Sequence, residues 1–232
     1  VALMDIVADY GDGCHDAQGN TYGCNVIVPL DLKGISRGRP LEKLGKRALP
    51  QGEIYFDNVR VPRRFAIATR DDYELKHAHA WAHAGTAMSH IAAGLARAAF
   101  EMALAYVAQR RQGGALLAQL QLTQYRIGGI GMQLEAIRAM ARHVAHFTKV
   151  SAQAHPYFTA AGKAFCCSTL LSVARESLQL MGGVGLTREF PIEKLLRDAQ
   201  AMQIEDGENH LLQMHYGHLL TRLHADSGFG AV

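Results

Sequence analysis

Three carboxylates stand within four positions of the segment AMQIEDGENHLLQ, residues 201–213. They are Glu205, Asp206 and Glu208, and they precede an apolar helical pattern. Carboxylates take part in proton transfer, and they also accept hydrogen bonds from the free N–H groups at the start of a helix. The order of these residues predicts that Asp206 caps the last helix, whose positive end suits acidic side chains. A cap can also carry chemistry.

Histidines form a second candidate group. The segment KHAHAWAH contains His77, His79 and His83 near the start of a predicted helix. His79 and His83 lie one turn apart, a spacing that can hold a metal ion. A third ligand would be needed, and the H-E-x-x-H pattern is absent. We therefore expect no metal site and interpret these histidines as helix-end or pocket-lining residues.

Two further polar groups match no familiar site. Cys14, His15 and Asp16, with Asp5 nearby in the sequence, have no recognised ligand spacing, and we interpret them as loop residues. The basic cluster in NVRVPRR, residues 58–64, is interpreted as a solvated turn. The segment QLMGGVG, residues 179–185, follows a helix rather than a strand, so by itself it predicts a helix end and not a dinucleotide fingerprint.

Length and charge limit the possible classes of protein. The chain has 232 residues, enough for a sizeable core in one large domain or one and a half ordinary ones. Its formal net charge is +3, and no long basic run is present. We therefore expect no nucleic-acid partner.

The four cysteines include no C-x-x-C pair, which predicts a reduced, cytoplasmic protein. No apolar run approaches the roughly 18 residues of a membrane span, so a soluble protein is expected. The first residue is Val1, which is consistent with a processed product, an unusual start or a fragment.

The chain changes character near residue 62. Residues 1–62 alternate polar and apolar positions between glycine-containing turns, which predicts strands, most clearly at 24–30 and 53–61. Beyond it, apolar residues recur at helical spacing. One stripe contains Met88, Ile91, Leu95, Ala99, Met102 and Tyr106, and a second contains Ile127, Ile130, Leu134, Ile137, Ala141 and Val144.

Prolines and glycines place the remaining helices. A third helix is predicted from Pro156 to the pair Gly182-Gly183, and Pro191 opens a short one. The fold class is therefore α+β. A segment of antiparallel strands, residues 1–62, precedes a four-helix-type bundle, residues 73–232, and the junction lies in 62–72.

Several motifs together resemble the C-terminal part of the acyl-CoA dehydrogenase family. LGKRALPQGEIYFDNVRVP, residues 44–62, is similar to the end of the family's middle β-domain. YVAQRRQGGALLAQLQ, residues 106–121, is similar to its Y-x-x-x-R-x-x-F-G turn followed by glutamine. The run from QLMGGVG through EKLLRDA to EDG, residues 179–207, resembles its closing motifs. The resemblance spans about residues 20–220.

The resemblance implies an FAD-dependent α,β-desaturation of an acyl-CoA thioester. A carboxylate removes the α-proton while the β-hydrogen leaves as hydride to the flavin. The family's base is usually a Glu before Gly, and Asp206 stands at that position, with Gly207 implied in substrate binding. Asp is one methylene shorter, and a displacement of about 1 Å can cost on the order of a hundredfold in rate. Glu205 is expected to face away.

The resemblance also implies cofactor contacts, reaching the FAD of a neighbouring subunit. They are Arg110, Gln121, Gln179, Gly182 and Gly183. Four positions depart from the family's pattern. Gly113 replaces a Phe, and Glu208 and His210 replace a flavin-facing Thr and a Gln, so that both stand near the expected cofactor. Gly85 stands where many relatives have an Arg.

The implied partners are an acyl-CoA substrate, an electron-transferring flavoprotein and further copies or homologous subunits, in a homo- or hetero-oligomer such as a dimer or tetramer. An alternative interpretation is a non-catalytic assembly subunit of a heteromeric acyl-CoA dehydrogenase. The acyl group itself is not predicted.

Overall fold

The computed structural model describes residues 1–11, 13, 22–151 and 156–227. Cys14, His15 and Asp16 lie outside the described residues. Two compact units are present: residues 1–43 with 47–80, and residues 44–46 with 81–232. Strands concentrate in the first unit and long helices in the second, and the α+β class is confirmed. The predicted domain limits, 1–62 and 73–232, stay a prediction.

The strands and helices follow one another in a simple order. They are β1 (Ala2–Val7), β2 (Gly23–Val28), β3 (Ile35–Arg37), β4 (Ile54–Phe56), β5 (Ala66–Ala68), α1 (Tyr73–Gln109), β6 (Arg111–Gln112), β7 (Ala115–Leu116), α2 (Gln121–Ser151), α3 (Pro156–Met181), α4 (Ile192–Ala201) and α5 (Asn209–Ser227).

The first unit contains two small antiparallel sheets. One has the order β1-β2-β5, with Ala2 opposite Val28 and Val7 opposite Gly23, and the other pairs β3 with β4. The strand predicted at 24–30 corresponds to β2. The strand predicted at 53–61 is shorter, because β4 has three residues and Asn58 has φ of 46°, a left-handed conformation that a strand does not contain.

Helix α1 buries a face made largely of alanines, together with most of the predicted stripe. Ala92, Ala96, Ala99 and Ala103 are completely buried, whereas Ile91 is 45% exposed. The predicted stripe is therefore wrong at Ile91. Small residues at spacings of three and four allow neighbouring helices to pack closely, so the alanine face enters the core, and the other members of the predicted stripe are buried or pack against it.

Helix α3 is the centre of the second unit. It packs against α2, α4 and α5, and Leu170 and Val173 are completely buried. The apolar stripe predicted on α2 is confirmed from Ile130 to Val144. Helix α3 begins at Pro156 as predicted. It ends before Gly182, whose φ of 62° is the left-handed conformation typical of a helix end, and a short 3-10 helix, Gly182–Leu186, follows.

Among the described residues, one helix is long and apolar enough to cross a membrane by length and composition. It is α1, with a mean hydropathy of 1.4 over an 18-residue window, and the expectation that no segment qualifies is corrected here. The core helix of a soluble protein passes the same test, and the alanine face of α1 belongs to the described hydrophobic core. No membrane span is shown.

Candidate functional site

The loop between α4 and α5, residues 202–208, carries the three carboxylates, and we call it the carboxylate loop. Asp206 has φ of 50° and Gly207 has φ of 94°, so two consecutive residues are left-handed. Such a conformation is uncommon for a residue with a side chain. A Cβ on Gly207 would stand 2.8 Å from Leu212 Cδ2 and 3.2 Å from Trp81 Cζ3. The loop therefore requires glycine there, and it leaves Asp206 exposed.

The prediction that Asp206 caps α5 is wrong. The cap is Glu208, whose Oε2 accepts a hydrogen bond from the Leu211 N–H at 3.0 Å. Glu208 Oε1 also lies 2.7 Å from His210 Nδ1. Hydrogen bonds from the backbone N–H groups of His210 and Leu211 hold the pKa of Glu208 below its usual value. Asp206 does not cap α5 because the left-handed backbone at Asp206 and Gly207 displaces Asp206 from the first turn of that helix.

A buried lysine of α3, which the sequence analysis did not select, holds the carboxylate loop against that helix. Lys163 of α3 is completely buried. Its Nζ donates to the Gly207 carbonyl at 2.7 Å and to Asn209 Oδ1 at 2.9 Å. Burial lowers the pKa of Lys163, and the carboxylates of the loop oppose that effect. In the sequence, Lys163 stands out only as the single charged residue of the segment AAGKAFCC, residues 160–167.

Asn209 and Gln203 extend this anchor. Asn209 Nδ2 donates to Gln203 Oε1 at 2.9 Å, and the Asn209 backbone N–H donates to the Gln203 carbonyl at 3.0 Å. Gln203 Nε2 in turn donates to the Cys167 carbonyl of α3 at 2.7 Å. Both ends of the carboxylate loop are thus fastened to α3.

The segment Leu44–Lys46 fastens the loop from another side. The Lys46 N–H donates to Asp198 Oδ1 at 2.6 Å, and Lys46 Nζ lies 2.7 Å from Glu205 Oε1. A Cβ on Gly45 would stand 2.2 Å from the Arg197 carbonyl oxygen, so glycine permits this close approach. Glu205 is therefore engaged in an ion pair, and Asp206 is the exposed carboxylate of the two.

Three of the predicted cofactor residues lie around Tyr106. Tyr106 and Arg110 line a cleft of about 410 Å³. Tyr106 also lines a neighbouring cleft of about 230 Å³ that includes Gln179 and Gly182. Tyr106, Thr123 and Arg126, which the sequence analysis did not select for a site, also line these clefts.

The other two predicted cofactor residues lie outside these linings. Gly183 is exposed, with open space where a Cβ would be, and Gln121 is exposed at the first position of α2. Neither residue is among those that line the two described clefts.

The backbone conformation explains why position 113 is glycine rather than the Phe that the family resemblance leads us to expect. Gly113 and Gly114 form the two-residue turn between β6 and β7, with φ of 60° and 83°. Two consecutive positive φ angles are typical of a hairpin turn that favours glycine. A Phe at position 113 would be strained in this conformation.

The two groups of candidate residues lie beside different parts of α3. Lys163, which touches the carboxylate loop, and Gln179 are 16 positions apart on this helix, a separation of about 24 Å at 1.5 Å per residue. Glu208 and His210, predicted near the cofactor, stand at the end that holds Asp206.

The histidines of α1 show no metal site within the part of the chain that is described. His77 stacks on Tyr73 and lies 3.5 Å from Asp5 Oδ1. Among these residues no group of three His, Cys, Asp or Glu side chains could hold a metal ion.

The fold of this chain is similar to that of solved acyl-CoA dehydrogenases. Butyryl-CoA dehydrogenase from Megasphaera elsdenii superimposes with a TM-score of 0.84 at 25% identity, over 95% of this chain and 56% of that one. Glutaryl-CoA dehydrogenase bound to glutaryl-CoA has the same fold, with a TM-score of 0.80 at 22% identity, over 99% of this chain and 55% of that one.

Sequence comparison agrees with the fold. Residues 78–218 match the family described as acyl-CoA dehydrogenase, C-terminal domain. The chain therefore belongs to the acyl-CoA dehydrogenase family. The probable acyl-CoA dehydrogenase FadE25 of Mycobacterium tuberculosis is 29% identical over 207 residues, 84% of this chain and 50% of the relative. Cyclohex-1-ene-1-carbonyl-CoA dehydrogenase of Syntrophus aciditrophicus is 26% identical, over 95% of this chain and 52% of the relative. The chain spans about half the length of these relatives.

Proposed function

We propose that this chain is the C-terminal part of an FAD-dependent acyl-CoA dehydrogenase and that Asp206 is its catalytic base. The observation that carries the proposal is the carboxylate loop. It displays Asp206 to solvent in a left-handed conformation, and the resemblance of the closing motif to the family implies the base at this position. The two other carboxylates of the loop are engaged, Glu205 with Lys46 and Glu208 with the start of α5.

The proposed chemistry begins at the α-carbon of an acyl-CoA thioester. An Asp206 Oδ atom accepts the α-proton, while FAD, when bound, supplies the hydride acceptor for the β-hydrogen. A carbon acid is weak, so the carboxylate must become a stronger base than it is in water. An apolar acyl chain that covers the exposed Asp206 would displace water and favour the protonated form. Gly207 is proposed to lie against the substrate.

The clefts around Tyr106 suit part of a flavin dinucleotide. Arg110 offers a permanent, bidentate charge for phosphate, and Gly182 and Gly183 expose backbone with no Cβ in the way. Gln121 and Gln179 complete the proposed contacts.

The separation of about 24 Å along α3 supports an oligomer. In it, these five residues serve the FAD of a neighbouring subunit, while Asp206, with Glu208 and His210 beside it, serves another. We propose a homo- or hetero-oligomer that passes electrons to an electron-transferring flavoprotein. A reduced, cytoplasmic setting is also proposed, since Cys24, Cys166 and Cys167 are free thiols.

Replacing the base tests the proposal. In flavin-loaded protein, Asp206→Asn should slow flavin bleaching by acyl-CoA at least about a hundredfold, the lower range for a general base. The substrate panel begins with butyryl-CoA and cyclohex-1-ene-1-carbonyl-CoA, the thioesters of two relatives. Glu205→Gln is the matched comparison, and it should retain more activity, because it removes an anchor and not the base. Full activity in Asp206→Asn would refute the assignment.

A second candidate function is a non-catalytic assembly subunit. The observation that favours it is the use of the Glu208 carboxylate as a helix cap at a position where the family resemblance implies a flavin-facing Thr. This alternative predicts a stable complex with a catalytic homologue whose activity is unchanged by Asp206→Asn in this chain.

A further inference from the structure

Lys163 is a buried cation that the proposed chemistry does not use. Its Nζ donates one hydrogen bond to the carboxylate loop, at Gly207, and one to the first residue after the loop, Asn209. Burying an ammonium group is costly unless its environment compensates the charge. An apolar side chain would fill the same volume between α3 and the loop at lower cost, so packing alone does not account for lysine.

The charge of Lys163 is matched by the loop as a whole. The carboxylates of Asp206, Glu205 and Glu208 all raise its pKa, against the lowering effect of burial. Cys167, on the same helix, raises this pKa more strongly than any one of the three carboxylates. Among the described ion pairs none includes Lys163. The ammonium group therefore binds a backbone carbonyl and an amide, and it acts on the carboxylates from a distance.

The carbonyl that Lys163 binds belongs to Gly207, the second of the two consecutive left-handed residues, Asp206 and Gly207. The Gly207 oxygen turns inward to Lys163 Nζ at 2.7 Å, and this fixes the peptide that follows Gly207. With Asn209 bound to the same ammonium group, the backbone has little freedom to leave positive φ at Asp206.

We propose that Lys163 is a positioning residue for the dehydrogenation. By holding the Gly207 carbonyl and Asn209, it keeps the Asp206–Gly207 backbone left-handed and so directs the Asp206 carboxylate toward the α-carbon of the substrate. This inference rests on the proposed function of Asp206.

Trp81 provides a readout that does not depend on catalysis. It is the single tryptophan of the chain, and its Cζ3 lies 3.2 Å from the point where a Cβ on Gly207 would be. A change in the conformation of the carboxylate loop therefore alters the surroundings of this indole ring. Its fluorescence emission reports on the loop.

The test compares Lys163→Met and Lys163→Arg in the flavin-loaded protein, with Lys149→Met as the control at an exposed lysine of α2. In Lys163→Met we expect kcat to fall by about tenfold to a hundredfold, since a displacement of about 1 Å has an effect of this size. KM should change little, and Trp81 emission should shift. Lys163→Arg, which keeps the charge, should recover part of kcat. Lys149→Met should change none of these quantities.

Several results would overturn the proposal. A wild-type kcat in Lys163→Met would do so, and so would a loss confined to KM, or native Trp81 emission despite a loss of kcat. If Lys163→Met does not fold, Lys163→Gln, which keeps a donor without the charge, replaces it in the same comparison. If the wild-type protein loads flavin but oxidises no acyl-CoA, the proposed function fails. Trp81 emission then decides separately whether Lys163 fixes the loop.

Discussion

Gly85 offers a sharp test of how closely α1 and α3 pack. It is buried in α1, and a Cβ there would stand 2.8 Å from the Thr159 carbonyl oxygen and 3.0 Å from the Thr159 carbonyl carbon of α3. These are backbone atoms, which cannot move without displacing α3. Gly94 lies on the same helix, is exposed, and has nothing within 4 Å of its ideal Cβ. The same substitution at the two positions should therefore have opposite effects.

The expected magnitudes follow from two opposing contributions. Alanine in a helix is favoured over glycine by about 1 kcal/mol, so Gly94→Ala should stabilise the protein by about that amount. At Gly85 the same gain is opposed by an overpacking cost of about 1–3 kcal/mol. Gly85→Ala should therefore lie about 1–3 kcal/mol below Gly94→Ala in free energy of unfolding.

Urea unfolding followed by far-UV circular dichroism measures this difference. With a slope of about 2 kcal/mol per molar urea, a difference of 2 kcal/mol separates the two midpoints by about 1 M. The slopes themselves should agree, because neither variant changes the surface exposed on unfolding. An unfolding midpoint for Gly85→Ala equal to or above that of Gly94→Ala would refute the close approach of α1 and α3.

Two further predictions concern buried titratable groups. Burial would raise the pKa of Asp198, but hydrogen bonds from the Lys194 side chain and the Lys46 N–H lower it below its usual 3.8. The ionised Asp198 should therefore stabilise the folded protein fully above pH 3.8. This stabilisation should be lost as the pH falls through the lower pKa that Asp198 has in the folded protein. Urea unfolding should show that the free energy of unfolding falls less steeply with decreasing pH in Asp198→Asn than in the wild type. The same pH dependence in both proteins would contradict the ion pair. Burial raises the pKa of Cys166 to about 11 and of Cys167 to about 12, so mass spectrometry should detect alkylation of these thiols only after unfolding.

The presence of glycine at position 85, where the family resemblance leads us to expect an arginine, has a structural explanation in this chain. No side chain longer than hydrogen fits there without displacing Thr159. The departure at Gly85 is therefore coupled to the packing of α1 against α3. Restoring arginine alone would disturb the bundle before it could reach a substrate.

Local patterns determined much of the architecture. The α2 stripe from Ile130 to Val144, the start of α3 at Pro156 and its end before Gly182 all follow from helical periodicity and from backbone preferences of single residues. The family followed from motifs in fixed order, because a motif is a property of neighbouring positions in the sequence. The same motifs singled out Asp206 among three adjacent carboxylates.

Only the tertiary structure decided how those residues are held. Glu208 rather than Asp206 caps α5, because positive φ angles at Asp206 and Gly207 turn the chain before the helix begins. Lys163 reaches Gly207 across 44 positions, and Lys46 reaches Asp198 across 152. No local pattern encodes such contacts. They depend on which side chains meet once α3, α4 and the loop have packed, and that packing fixes the direction of the candidate base.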